Sequence, residues 1–444
     1  MSSFSATAVA LVLTFAGWTS ASAQVSTVAT PRVQPSSPGE VVGPPAPPLS
    51  GADLPLLAPR SGPLPTSLSL LQSLEEAEAR SPAIIAARAR VAASLARIRQ
   101  AVVRSNPELS IEVENFLGTG ELAGLKSLET TIAVNQRLDL FGRRRSAVIA
   151  AQAQLAAERL RLGIARADLA QAVREQFARA ITARERLRIA TENEALTREV
   201  ARISEILVDA GREPPLRALR ARSAVAQARA ELEAARAEEA ASRGTLASLF
   251  GVTEPPASVA GSLLDLQPRI VSPEDSLEVR LARAERLSAE AQVGVQLASS
   301  RLDPAVGLGV RHVRDIGDVG LVGGVSLPLP VFDRNRGNIA AARAEVRAAE
   351  ANLAAVTANA RVRARNSLTN VQAAAARVAA LEQSAVPEAA EALRLTQLSY
   401  REGRATLLEL LDAQNAYRVA QTGLVEARLA QALATAELGR VAAQ

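Results

Sequence analysis

The chain repeats itself at an offset of about 190 residues, and this repeat limits its possible folds more than any other feature. "SNPELSIEVENFLG" from Ser105 aligns with "LDPAVGLGVRHVRD" from Leu302. "LETTIAVNQRLDLFGRRRSAVIA" from Leu128 aligns with "VGLVGGVSLPLPVFDRNRGNIAA" from Val319, which sets Phe141 on Phe332 and Arg143 on Arg334. Farther on, "LVDAGREPPLRALR" from Leu207 matches "SYREGRATLLELLD" from Ser399, with Gly211 on Gly403. A repeat this long is a duplicated half-protein, not a solenoid unit.

Each half reads helix, strand, strand, very long helix, turn, long helix. In the first half these fall at about 68–104, 109–116, 128–140, 144–209 and 215–249. In the second they fall at about 276–301, 305–314, 319–331, 338–401 and 406–441. The very long helix of each half exceeds 60 residues, so at ~1.5 Å per residue it reaches roughly 100 Å, too long for a globule. Alanine, leucine and valine interleaved with arginine and glutamate, and only 2% aromatic residues, fit helices packed along seams. Pro387 lies inside the second long helix and predicts a kink or break there.

The four strands alternate. Leu109, Ile111 and Val113 oppose Ser110, Glu112 and Glu114; Ile132 and Val134 oppose Thr131, Ala133 and Asn135; Val306, Leu308, Val310, Leu321 and Val325 continue the pattern. At about ten residues each, tilted strands suit an outer membrane. Four strands cannot close a barrel and open edges are not tolerated in lipid, so other copies of the chain must supply the rest. In this reading Pro328 and Pro330 lie within the last strand on its lumen-facing parity, each removing a ladder donor.

Other chemistry is excluded. With no cysteine and one histidine, His312, the chain offers no disulfide, thiolate or multi-histidine site, so neither a cofactor nor a metal site is expected. No nucleophile and base are paired, which argues against an enzyme. The net charge of +5 is spread along helical faces instead of forming the stripe that nucleic acid requires. Residues 1–23 read as a signal peptide, "ATAVALVLTFAGW" followed by a small-residue cleavage site, although no Lys or Arg precedes the apolar run. Residues 24–66 read as a proline-rich linker, disordered or draped on a surface, with a first repeat at 67–251, a linker at 252–274 and a second repeat at 275–444.

The duplicated plan, the "SLPLPVFDRNRGNI" joint and the "YREGRATLLELLDAQNAY" turn resemble the TolC family of bacterial outer-membrane efflux channels, and most of all its heavy-metal branch. The resemblance covers about 68–441. It implies a mainly α fold with a membrane β-barrel part: a homotrimer whose twelve-stranded β-barrel, four strands per chain, continues into a periplasmic α-barrel. It also implies docking on a periplasmic adaptor and an inner-membrane pump, with metal cations or drugs as cargo. Its two helix turns form the periplasmic tip, with Gly211, Gly403 and Arg404 at the turns and at adaptor docking.

The same resemblance places Glu409 and Asp412 at a pore constriction. Their i, i+3 spacing puts both on one helical face, and three chains bring six carboxylates together, raising one another's pKa. The aligned first-half positions hold Arg217 and Arg220, and the resemblance implies, where Arg217 stands, an acid bonded to the tyrosine aligned with Tyr400. A latch between Tyr400 and an acid is therefore replaced here by an expected pairing of Arg217 or Arg220 with Glu409 or Asp412. The alternative is solvated helix-end charges worth ~0–1 kcal/mol. Phe141 and Phe332, with Pro328 and Pro330, mark the joint at the membrane interface. His312 reads as an interfacial or loop residue, and Asp333 and Asn335 as caps of the following helix. Two rivals fit the helices: a secreted or periplasmic trimeric coiled-coil structural or adhesin-like protein, and the adaptor itself, which needs one helical hairpin and not two copies of this plan.

Overall fold

The computed structural model describes residues 60–122, 124–262 and 272–443. The expected signal segment 1–23, the proline-rich stretch as far as 59, and 263–271 of the expected linker lie outside the described residues. The first repeat contains β1 (Ser67–Leu68), α1 (Leu70–Arg80), α2 (Pro82–Val102), β2 (Glu108–Glu114), β3 (Glu129–Arg137), α3 (Arg143–Asp209) and α4 (Pro215–Ser248). After β4 (Ser258–Val259) come α5 (Leu277–Ser299), β5 (Ala305–Val313), β6 (Asp318–Ser326), α6 (Arg336–Ala380), a π-helical turn (Leu381–Ala385), α7 (Val386–Arg401) and α8 (Leu407–Val441).

Local chemistry explains most boundaries. α1 opens on a reciprocal capping box between Ser69 and Gln72. The single helix expected over 68–104 is two, because Pro82 pushes Ser81 into an extended conformation and then starts α2 as its first residue. α3 runs unbroken for 67 residues. Its counterpart is interrupted as Pro387 predicts: just before the proline the helix widens by one residue per turn, and the Val386 N–H reaches Leu381 O. A π turn is one of the few ways a helix absorbs a proline's missing donor and bulky ring.

Three apolar clusters string along the helices. One joins Leu68, Phe177, Ile181, Leu246, Phe250 and Val259, where α1, α3, α4 and the parallel β1–β4 pair meet. Arg80 is buried beside it and donates to Gly62 O at 2.6 Å, so the described end of the proline-rich stretch is held against α1. A second cluster joins α3, α4, α7 and α8 through Val200, Ala221, Leu393, Tyr400, Leu407 and Leu410. Val378, Leu424 and Ala427 form the third.

Four strands make one antiparallel sheet in the order β2-β3-β5-β6. They hold seven to nine residues, shorter than expected. The ladder ends where Ala305 pairs with both Arg137 and Ser326. Beyond it stands Pro304, which has no N–H and only accepts a last bond from Leu138 N at 2.8 Å. Pro328 and Pro330 therefore lie past the strand and remove no ladder bond, contrary to the expectation from their parity.

Candidate functional site

Two ends of the molecule carry its functional features. At the sheet, register confirms the alternation residue by residue. Leu109, Val134 and Leu308 stand side by side, as do Ile111, Ile132, Val310 and Leu321, and all of these side chains are exposed. On the opposite face Arg311 ties three strands together. It donates to Glu129 Oε2 at 3.0 Å and Thr131 Oγ1 at 2.9 Å, and pairs with Glu114 at 3.0 Å. A sheet with water-exposed alkyl side chains on one face and ion pairs on the other inverts the usual soluble arrangement. His312 lies on the apolar face opposite Val319, near the end remote from the helices.

The joint between sheet and helices is exposed. Phe141 is 41% and Phe332 100% accessible. Asp139 accepts from the Arg144 backbone N–H at the start of α3, where a carboxylate suits the helix dipole. At the second joint Asp333 accepts from Asn335 N at 2.8 Å. Asn335 adopts a left-handed conformation but its side chain caps nothing; it bonds Gln296 of α5 instead, so the expected cap is not made.

At the far end both helix turns are built alike. Gly211 and Gly403 have φ of 69° and 74°, as the tight turns demand. In each, the glycine N–H reaches the carbonyl of Val208 or Tyr400, and the next N–H, of Arg212 or Arg404, reaches Leu207 or Ser399. This double bond pattern closes a helix through a left-handed residue. The turns are neighbours in space: a Cβ on Gly403 would lie 4.0 Å from the Arg212 guanidinium. Arg404 is exposed and pairs with Glu402 at 3.4 Å.

The expected charge pairing is not made within the chain. Arg217 is bonded to Glu213, one helical turn earlier. Glu409 completes a capping box with Thr406, accepting from its N–H at 2.6 Å and its hydroxyl at 3.0 Å. Those bonds hold the Glu409 carboxyl below the usual range, opposite to the rise expected from crowding in an acidic ring. Asp412 and Arg220 are exposed and have no partner among the described residues. The Tyr400 hydroxyl is buried and bonded to Ser204 at 3.1 Å, so within the chain it meets a serine and not an acid. A second buried tie, from Gln414 to Thr197 at 2.6 Å and Asn193 at 3.1 Å, joins α8 to α3. Sequence reasoning missed these ties, although Thr406-x-x-Glu409 is legible as a capping box.

Among the described residues no group of three or more His, Asp or Glu is placed to hold a metal ion, and no helix is long and apolar enough to cross a membrane. The chain is 32% identical over 315 residues to the nickel-cobalt-cadmium resistance protein NccC of Alcaligenes xylosoxydans xylosoxydans, covering 70% of each chain. It is 33% identical over 305 residues to the nickel and cobalt resistance protein CnrC of Cupriavidus metallidurans, covering 68% of this chain and 73% of the relative. In fold it matches the outer membrane protein VceC of Vibrio cholerae with a TM-score of 0.68 at 24% identity, over 84% of this chain and 96% of that one. The model of the family described as "Outer membrane efflux protein" matches residues 73–252 and 274–444, one match on each repeat. With its duplicated helix-strand-strand-helix plan, its one-sided apolar sheet and these matches, the chain belongs to the outer membrane efflux protein family.

Proposed function

We propose that three copies of this chain assemble into one exit duct of a tripartite efflux system. Their twelve strands close a barrel in the outer membrane, and their helices form the periplasmic tube that meets an adaptor and an inner-membrane pump. The observation that carries this reading is the four-stranded sheet. Its alkyl side chains face outward, its edges β2 and β6 are unpaired, and it joins helices of roughly 100 Å. Closure with other copies satisfies those edges in lipid. A secreted coiled coil would have no use for such a face. The chain acts as a conduit and performs no chemistry on what passes.

The cargo we assign is divalent metal cations, selected by the pump and not by the duct. Support comes from the relatives, which are nickel, cobalt and cadmium resistance proteins. At the tip, Asp412 and Arg220 are, like Asp209 and Arg212, exposed and without a side-chain partner among the described residues; of these, Asp412 and Arg220 are our candidates for contacts between chains that hold the aperture closed, with Glu409 beside them. The test is fractionation combined with deletion. The protein is expected in the outer-membrane fraction, running as a heat-modifiable band, and its loss is expected to sensitise cells to nickel, cobalt or cadmium. Recovery as a soluble periplasmic protein contradicts the channel; sensitivity to organic drugs alone contradicts the cargo.

A further inference from the structure

We propose that the apolar groove beside the start of α2 seats the chain's own residues 54–59, "LPLLAP", which strap the N-terminal stretch to the helices. The inference concerns packing within one chain and stands apart from the membrane reading. Its first support is the place where the described chain begins. Arg60 is already fastened: its N–H reaches Ala79 O at 3.2 Å and its guanidinium reaches Glu76 at 2.7 Å. The same Glu76 accepts from the buried Arg80 at 2.6 Å, and Arg80 holds Gly62 O at 2.6 Å. Residues 54–59 therefore lead into a fixed point.

That point is one end of a groove of about 560 Å³. α2 carries two apolar stripes. Ile84, Ala87 and Val91 form the first and are buried where α2 meets α3. Pro82, Ile85, Ala86 and Ala89 form the second, with the i, i+3, i+4, i+7 spacing of a covered face, yet they line the groove, and Ala86 and Ala89 are exposed. Phe250 and Val252, just past α4, stand on its other side. Apart from Arg60 and Arg80, which are engaged with Glu76, no charged side chain lines it.

Residues 54–59 suit this groove in chemistry and in reach. Leu54, Leu56 and Leu57 supply apolar side chains, and none of the six residues is charged. Pro55 and Pro59 have no N–H to leave unpaired against an apolar wall, and their fixed φ leaves less chain entropy to lose on docking. Six extended residues at ~3.1 Å span ~19 Å, whereas Pro82 to Ala89 rises only ~10 Å at ~1.5 Å per residue, so the segment covers the whole stripe. Tethered at Arg60, it also meets the groove at a local concentration that a separate partner does not reach.

The chain has no cysteine, so engineered pairs report cleanly. In the full-length protein Leu57→Cys is combined in turn with Ala86→Cys, with Ala89→Cys and, as a control near the other end of α2, with Gln100→Cys. A disulfide within one chain, read as loss of maleimide labelling without a dimer band, is expected for Ala86→Cys or Ala89→Cys and not for Gln100→Cys. A second measurement needs no cysteine: replacing Leu54, Leu56 and Leu57 by serine is expected to speed hydrogen exchange several-fold over residues 82–93 and to leave α8 unchanged. A covalent dimer through Ala86→Cys or Ala89→Cys means that a second copy fills the groove, and overturns the inference. Oxidation of the Gln100→Cys pair as readily as the other two means that the segment has no fixed seat, and overturns it as well. Unchanged exchange over residues 82–93 overturns it by itself, including where the cysteine variants fail to fold.

Discussion

At the scale of single residues, the tip is held by buried polar contacts surrounded by apolar ones. Tyr400 and Ser204 satisfy each other among Val200, Leu393, Leu407 and Leu410. Tyr400→Phe leaves the serine hydroxyl to find a poorer partner and is expected to cost about 1–2 kcal/mol, part of which Ser204→Ala returns in the double variant, read by thermal unfolding. Glu409 gives a pH dependence whose sign follows from its lowered pKa. The capping contribution is complete above the ordinary glutamate value of roughly 4.3 and is lost as pH falls through the lower folded value. Glu409→Gln is therefore expected to flatten acid destabilisation at the tip, measured by hydrogen exchange of the α8 N-terminus at pH 3 to 6. Gly309 faces backbone: a Cβ there would lie 2.6 Å from Ile132 O, so Gly309→Ala is expected to destabilise the sheet by ~1–3 kcal/mol, seen as a lower temperature for loss of the heat-modifiable band. Much of the site was written in the sequence. The positive φ of Gly211 and Gly403 followed from the turns, whereas the partners of Arg217 and Glu409 did not follow from alignment of the halves. Local spacing decided those, Glu213 at i−4 and Thr406 at i−3, because a contact one turn away costs less chain entropy to order than one across the molecule.

Among the elements, the pairing of long helix and short sheet was legible because both obey simple periods. The apolar alternation set which residues of β2, β3, β5 and β6 share a face, and the helical pattern set α3 to within a residue of its observed start. Strand ends were misread for a physical reason. The run from Leu327 to Val331 keeps a strand-like alternation, but Pro304 ends the neighbour it would have to pair with. The β1–β4 pair escaped notice because two residues carry no period. Pro387 was read correctly as a break, and its π turn lies beside Val378 and Leu424 of the third cluster. Leu410→Ala removes a fully buried side chain where α8 meets α3 and α7. It is expected to cost ~2–5 kcal/mol and to loosen the tip before the sheet, observable as earlier proteolysis near Gly403 while the heat-modifiable band persists.

For the whole molecule, neither end is complete in one chain. Among the described residues the sheet exposes its apolar face and both edges, and the tip leaves Asp412 and Arg220 without partners. The proposed assembly would answer both requirements at once, closing edges on edges and bringing the charges of one chain within reach of the next. If the tip charges gate the duct, Glu409→Ala with Asp412→Ala should raise open probability and weaken cation selectivity in planar bilayers; an unchanged channel would locate the gate elsewhere. The central claim, that separate chains jointly close one membrane barrel, is tested most directly by the native mass of the detergent-extracted particle. A mass of three chains that falls to one on boiling is the result expected here. A monomer before boiling, with its sheet edges open, would contradict the account.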